Sequence, residues 1–276
     1  MILQFTKMQG AGNDFVVIDA VSETIQLTKN QIQLISDRHF GIGCDQILMV
    51  EPPVSPDLDF FYRIFNADGS ESGQCGNGAR CFALFVKEKG LTHKNVIKIG
   101  TESQQMSVSL LAEGRVRVDM GVPRFQPKEV PLMAEKENTE YEIKINNGYY
   151  RIGAVSLGNP HAVQLVEDLE SAALQTLGPL IEKHEMFPEG VNVGFMQRLD
   201  SNYIRLRVHE RGVGETLACG SGACAAVAVG QKMDILGSVV EVDLPGGRLT
   251  VEWQGGTEPM YLTGPATKVF EGRITL

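Results

Sequence analysis

Two cysteines occupy nearly the same local sequence. Cys75-Gly76-Asn77-Gly78-Ala79 recurs as Cys219-Gly220-Ser221-Gly222-Ala223, 144 residues further on. Each cysteine stands just before a stretch that predicts a helix. The exposed N–H groups and dipole of a helix N-terminus lower a thiol's pKa, which brings a thiolate within reach of neutral pH. The glycines let the backbone turn tightly and bare N–H groups that suit an anion. Two such sites placed face to face would hold one carboxylate, with a sulfur on either side of its α-carbon. That arrangement suits inversion at carbon. One thiolate removes a proton from one face, a thiol delivers one to the other, and the N–H donors stabilise the charge that develops.

Other readings of the cysteines are weaker. A cysteine beside a buried helix is most often a small core hydrophobe, and Cys44, Cys81 and Cys224 are read that way. Zinc is disfavoured, because Cys75/Cys81 and Cys219/Cys224 are spaced C-x5-C and C-x4-C, with no His beside them. A phosphate cradle lacks the accompanying G-x-x-x-x-G-K-[ST] or strand-linked G-x-G-x-x-G. No C-x-x-C supports a thiol-redox enzyme, and an odd count of 5 cysteines argues against a disulfide framework. A non-catalytic zwitterion-binding protein would need no cysteine pair.

The cysteine motif belongs to a longer internal repeat. Gly12-Asn13-Asp14-Phe15 matches Gly158-Asn159-Pro160-His161 at an offset of 146, and Gln46 falls over Asn192 at the same offset. At 144, Asn66 falls over Glu210, Ala67 over Arg211, and Glu71-Ser72 over Glu215-Thr216. Two copies of about 145 residues match ordinary domain size. The expected domains are residues 1–119 plus 265–276, and residues 120–264, with Met120-Gly121-Val122-Pro123 as the joint.

The elements that must position these residues are mostly strands. Short apolar or alternating runs predict strands at Asp14–Asp19, Gln46–Val50, Asp59–Phe65, Asn95–Ile99 and Met106–Leu111 in the first copy. In the second copy they fall at Tyr149–Val155, Ala162–Val166, Val191–Met196, Tyr203–Val208, Val239–Asp243 and Leu249–Trp253. Thr28-Lys29-Asn30-Gln31 has capping-box spacing and predicts a helix, with Ser171–Leu177 as its counterpart. Helices are also expected at Gly78–Lys87 and Gly222–Gly230. The second of these has no polar face, which marks a buried helix. The fold class is therefore α+β: two pseudo-symmetric, barrel-like domains, each of β-strands around a central helix.

Composition excludes several classes. Hydrophobic residues make up 43% and charged residues 21%, an ordinary globular balance. The net charge of −9 argues against nucleic acid as a partner. No basic amphipathic helix suggests a membrane surface. The N-terminal residues lack the apolar region of a signal peptide, and no run reaches the ~20 apolar residues that span a bilayer. A cytoplasmic location is expected.

The chain resembles the diaminopimelate epimerase family along nearly its whole length. The resemblance is carried by Gly10-Ala11-Gly12-Asn13-Asp14-Phe15, Gly41-Ile42-Gly43-Cys44-Asp45-Gln46, Phe65-Asn66-Ala67-Asp68-Gly69-Ser70 and the Cys75 segment. It continues through Gly158-Asn159-Pro160-His161, Glu189-Gly190-Val191-Asn192-Val193, His209-Glu210-Arg211-Gly212 and Glu215-Thr216-Leu217-Ala218-Cys219. It implies interconversion of LL- and meso-diaminopimelate for lysine and peptidoglycan synthesis by a two-base thiolate/thiol mechanism, with no cofactor and no metal. Cys75 and Cys219 match the catalytic cysteines. Gly76, Asn77, Gly220 and Ser221 match the helix-end donors to the reacting carboxylate. Asn13, Gln46, Asn66, Asn159, Asn192, Glu210 and Arg211 match the other substrate contacts, and His161 and Glu210 match residues that tune the thiols. The resemblance also implies a C-terminal tail that returns to the first domain. It further implies a homodimer, with Phe270 where the family has an interface tyrosine. A relative acting on proline or hydroxyproline is the alternative, against which the Asn and Arg set argues.

Overall fold

A computed structural model describes residues 1–73, 75–102 and 105–276. The chain divides into two compact units, Met1–Asp119 with Thr263–Leu276, and Met120–Leu262.

In the first unit, β1 (Ile2–Gly10) and β2 (Asn13–Asp19) form a hairpin, with Gly10 opposite Asn13. Its two-residue turn puts Ala11 at φ 55° and Gly12 at φ 84°, the left-handed backbone that matches the twist of the paired strands. Helix α1 (Lys29–Ser36) follows, capped by Thr28 in a full capping box with Gln31. β3 (Gln46–Glu51) lies parallel to β2 with Gln46 opposite Phe15, and antiparallel to β4 (Phe60–Asn66) with Gln46 opposite Asn66. β5 (Glu71–Ser72) pairs with β4 and leads to α2 (Gly76–Glu88). β6 (Val96–Gly100), β7 (Gln105–Leu110) and β8 (Arg115–Asp119) complete a meander, with β6 parallel to β4. Helix α2 is buried on nearly every side, and Ala79, Cys81, Phe82, Ala83, Phe85 and Val86 pack against the surrounding strands. A helix buried on nearly every side sits stably inside a sheet that closes around it.

The second unit repeats the plan. β9 (Tyr141–Ile145) and β10 (Gly148–Ser156) form a hairpin, and β10 pairs antiparallel with β11 (Pro160–Val166). Helix α3 (Leu174–Glu182) joins β11 to the parallel β12 (Asn192–Asp200), with His161 opposite Asn192. β13 (Tyr203–Glu210) is antiparallel to β12 and precedes β14 (Gly214–Thr216) and α4 (Gly220–Lys232). β15 (Val239–Leu244) runs parallel to β13 and antiparallel to β16 (Gly247–Glu252). β17 (Tyr261–Pro265) carries the chain back to the first unit, where β18 (Thr267–Thr275) pairs with β1.

The repeat is visible in the registers themselves. Phe15 opposite Gln46 becomes His161 opposite Asn192, and Ile47 opposite Phe65 becomes Val193 opposite His209. The Arg63–Glu71 ion pair at 2.8 Å recurs as Arg207–Glu215 at 2.7 Å. The fold is α+β, two pseudo-symmetric barrel-like domains each built around a central helix.

Local differences from the sequence reading have physical causes. The helix expected at Ser171–Leu177 begins at Leu174 and runs on to Glu182. Asp168 accepts from the Glu170 and Ser171 amides, so Ser171 is held in a turn rather than at a cap. Strand β1 escapes a pattern reading because Thr6 and Lys7 are buried within it.

Candidate active site

Each cysteine is the N-cap of its 13-residue helix, and its sulfur accepts from the amide three residues on. That bond is 3.3 Å from Gly78 to Cys75 Sγ and 3.4 Å from Gly222 to Cys219 Sγ. The first amides of a helix have no intrahelical acceptor, so Gly76, Asn77, Gly220 and Ser221 stand where an anion is bound most readily.

Around Cys75 the first unit gathers amides. The thiol points at Asn13 Oδ1 from 3.9 Å, and Asn77 Nδ2 approaches the same oxygen at 3.4 Å. Asn13 Nδ2 donates to Asp45 Oδ2 at 2.8 Å, which fixes the Asn13 amide with its carbonyl toward the cysteine. Arg38 holds Asp45 at 2.8 Å and grips Asp14 with two bonds of 2.8 and 3.0 Å. Lys7 pairs with Asp14 at 2.5 Å and donates to the Gly43 carbonyl. Burial alone would push the Asp14 carboxyl up. Hydrogen bonds from Arg38 and Lys7 outweigh it and hold the group at about 2. Gln46 donates to Asn66 at 2.9 Å, as their opposed positions on β3 and β4 allow.

Around Cys219 the set is different. Ser221 Oγ lies 3.6 Å from the sulfur, and Asn159 Nδ2 donates to Ser221 at 3.4 Å. Asn159 Oδ1 therefore faces His161 Nε2 at 3.1 Å, which puts the imidazole proton on that nitrogen. Burial, aided by the Arg211 charge, pushes His161 down to about 3, so the ring is neutral. It orients Asn159 but supplies no cation to the thiol. Glu210 accepts from Thr216 at 2.6 Å. Asn192 Oδ1 accepts from the Arg211 amide at 3.0 Å, and the Arg211 guanidinium donates to the Glu189 carbonyl at 2.9 Å. The loop carrying these residues is anchored from below. Glu182 binds His209 at 2.7 Å and the Gly212 amide at 3.0 Å.

The helix end does not bring Cys219 down, contrary to the simplest reading of its position. Burial and the Glu210 carboxylate push this thiol well above its ordinary range, and the bonds from Ser221 and Gly222 do not compensate. Cys44 and Cys81 are buried with raised pKa values, Cys81 up to about 12, as fits core thiols. Phe270 lies on β18, 47% exposed, and meets Phe5 edge-on at 5.9 Å. Among the described residues, no group of three His, Cys, Asp or Glu side chains could hold a metal ion, and no helix is long and apolar enough to cross a membrane.

Sequence reasoning missed Asp45 and Arg38 behind Asn13, and Glu182 and His209 behind Glu210. The only signal was adjacency, since Asp45 precedes Gln46 and His209 precedes Glu210.

The two-domain fold is shared with solved structures. The chain superimposes on a probable proline racemase from Agrobacterium radiobacter with a TM-score of 0.74 at 16% identity, covering 99% of this chain and 93% of that one. A hydroxyproline epimerase from Agrobacterium vitis gives 0.75 at 14% identity, covering 99% and 92%. A methylitaconate-delta-isomerase gives 0.69 at 12%, covering 99% and 95%. At such identities the likeness establishes the fold. The family model described as diaminopimelate epimerase matches residues 5–126 and 153–269, and the chain belongs to that family.

Proposed function

We propose that the protein interconverts LL- and meso-diaminopimelate without a cofactor, Cys75 and Cys219 serving by turns as base and acid. The observation that carries the reading is the duplicated helix end, a cysteine N-cap with glycine and an amide or hydroxyl in the first turn. Inversion of a carbon acid needs a base on one face and an acid on the other. A single base tends to return the proton to the face it came from. The α-proton of an amino acid is weakly acidic, so N–H donors at the helix ends have to stabilise the charge that builds on the carboxylate.

The substrate assignment rests on the family and on the asymmetry between the copies. Only the second unit carries a charged pair, Glu210-Arg211, where the first has Asn66-Ala67. Diaminopimelate has a second carboxylate, and the planar fork of Arg211 suits it. Asn13, Gln46, Asn66, Asn159 and Asn192 both donate and accept, which suits zwitterionic ends. The reading places the enzyme in lysine and peptidoglycan precursor synthesis in the cytoplasm, as a homodimer with Phe270 at the interface.

Turnover in deuterated water tests the chemistry. Deuterium is expected at the α-position of diaminopimelate, and Arg211→Ala is expected to raise KM by roughly ten- to a hundredfold. Exchange with proline or hydroxyproline but not diaminopimelate overturns the substrate. Exchange with no amino acid overturns the reaction.

A further inference from the structure

Tyr62 on β4 is buried, 1% exposed, and its phenol oxygen has no hydrogen-bond partner among the described residues. A buried hydroxyl left unpaired costs about 1–3 kcal/mol, so its position asks for a reason. The ring packs on Phe82 of α2, with centroids 4.9 Å apart, and directs its oxygen at the first turn of that helix. A Cβ built on Gly78 would lie 2.1 Å from Tyr62 Oη and 3.4 Å from Cys75 Sγ. Phenol and sulfur therefore flank the same point, which only glycine leaves open. The second unit has no equivalent. Leu206 stands at the matching position, and a Cβ on Gly222 would meet the Val208 Cγ2 methyl at 3.0 Å.

We propose that Tyr62 is a positioning residue for Cys75, its phenol O–H donating to the sulfur when Cys75 is the thiolate. In the resting pair the shared proton then sits on Cys219. A neutral thiol is a poor acceptor, and the unpaired phenol gains its partner only when Cys75 gives up its proton. The second unit is built for the opposite state, with a leucine in place of the phenol and the Glu210 carboxylate beside the sulfur. Several other charged groups on the elements around α2 are paired. Asp14 pairs with both Lys7 and Arg38, Arg63 on β4 and Glu51 on β3 form an ion pair, and Lys268 and Lys89 pair with Glu88 and Glu271 at the far end of the helix. On β8, Arg115, Arg117 and Asp119 alternate with the buried Val116 and Val118. Arg80 and Cys81 belong to α2 itself, Arg80 donating to the Pro265 carbonyl at 3.1 Å.

The proposal deepens the two-cysteine reading and rests on it for its catalytic meaning, but its test needs no substrate. Full-length protein and Tyr62→Phe are alkylated with iodoacetamide across the neutral to alkaline range, and the Cys75 and Cys219 peptides are quantified by mass spectrometry. The Cys75 profile is expected to move up by about one pH unit, roughly tenfold less thiolate at neutral pH, with Cys219 unchanged. Tm should hold or rise, because an orphan hydroxyl has gone. An unchanged Cys75 profile makes Tyr62 plain core packing and overturns the proposal. Should Tyr62→Phe unsettle the fold, incorporation of a ring-fluorinated tyrosine at position 62 keeps the shape and strengthens the donor. Cys75 must then titrate lower, and no shift overturns the idea equally. Absence of α-proton exchange in the wild type, together with a Cys75 shift in the variant, would sink the enzymatic reading and leave the phenol–thiolate contact standing.

Discussion

Helices α2 and α4 are the same device in two settings. Both have 13 residues, both are capped by a cysteine sulfur, and both are enclosed by strands in matching register. Their surroundings diverge. Cys75 faces an amide locked by Asp45 and lies near a buried phenol, whereas Cys219 faces a carboxylate and a serine, with His161 reached only through Asn159. Duplication kept the backbone that presents the sulfur and the N–H groups. Substitution around it gave each sulfur different neighbours.

The sharpest way to break this comparison is to remove one thiol at a time. Cys75→Ala and Cys219→Ala are each expected to lower epimerisation turnover by about 10²–10⁴-fold with Tm little changed. If either variant keeps a tenth or more of wild-type turnover, the two sites are not a working pair. A second comparison concerns packing. Gly78→Ala drives a methyl into Tyr62 Oη and is expected to cost about 2–3 kcal/mol in chemical denaturation, partly restored by Tyr62→Phe. Gly222→Ala meets the Val208 methyl at 3.0 Å and Cys219 Cβ and Sγ at 3.2 Å, a milder crowding that the gain in helix propensity of up to about 1 kcal/mol partly offsets. A larger loss at Gly222 than at Gly78 would reverse the assignment. The smallest effect concerns acid. Asp14 has Pro160 as its counterpart, so only the first unit carries this ion cluster. Its pKa is about 2 in the folded chain against roughly 3.9 when unfolded, so its stabilisation is full above pH ~4 and is lost as pH falls through about 2. Hydrogen exchange, corrected for intrinsic rate, should show the β1–β2 hairpin losing protection over that window while β10–β11 does not. Equal loss in both hairpins would contradict it.

Much of this was legible in the sequence because the chain repeats itself. The spacing of Gly12 from Gly158, Gln46 from Asn192 and Cys75 from Cys219 anticipates the paired registers of β2–β3 and β11–β12. Thr28 and Gln31 announced their cap. What could not be read depends on neighbours distant in sequence. Lys7 is buried because Asp14 neutralises it, and nothing in Ile2–Gly10 reveals that. Tyr62 reads as an ordinary inward strand residue, and only the approach of its oxygen to Gly78 distinguishes it. The lift of the Cys219 thiol comes from burial and from Glu210, which no helix-end argument contains.

The pairing of β18 with β1 bears on how the chain is made. β1 has β2 on one side and β18 on the other, so its outer edge has no partner until β18 leaves the ribosome. Translation ordinarily lets the earlier domain finish folding before the later one exists. Here the order is inverted. The second unit is one continuous stretch and is complete while the first still waits for its closing strand. During that interval the nascent chain carries an open strand edge, the kind of surface that chaperones shield and that recruits unwanted strands.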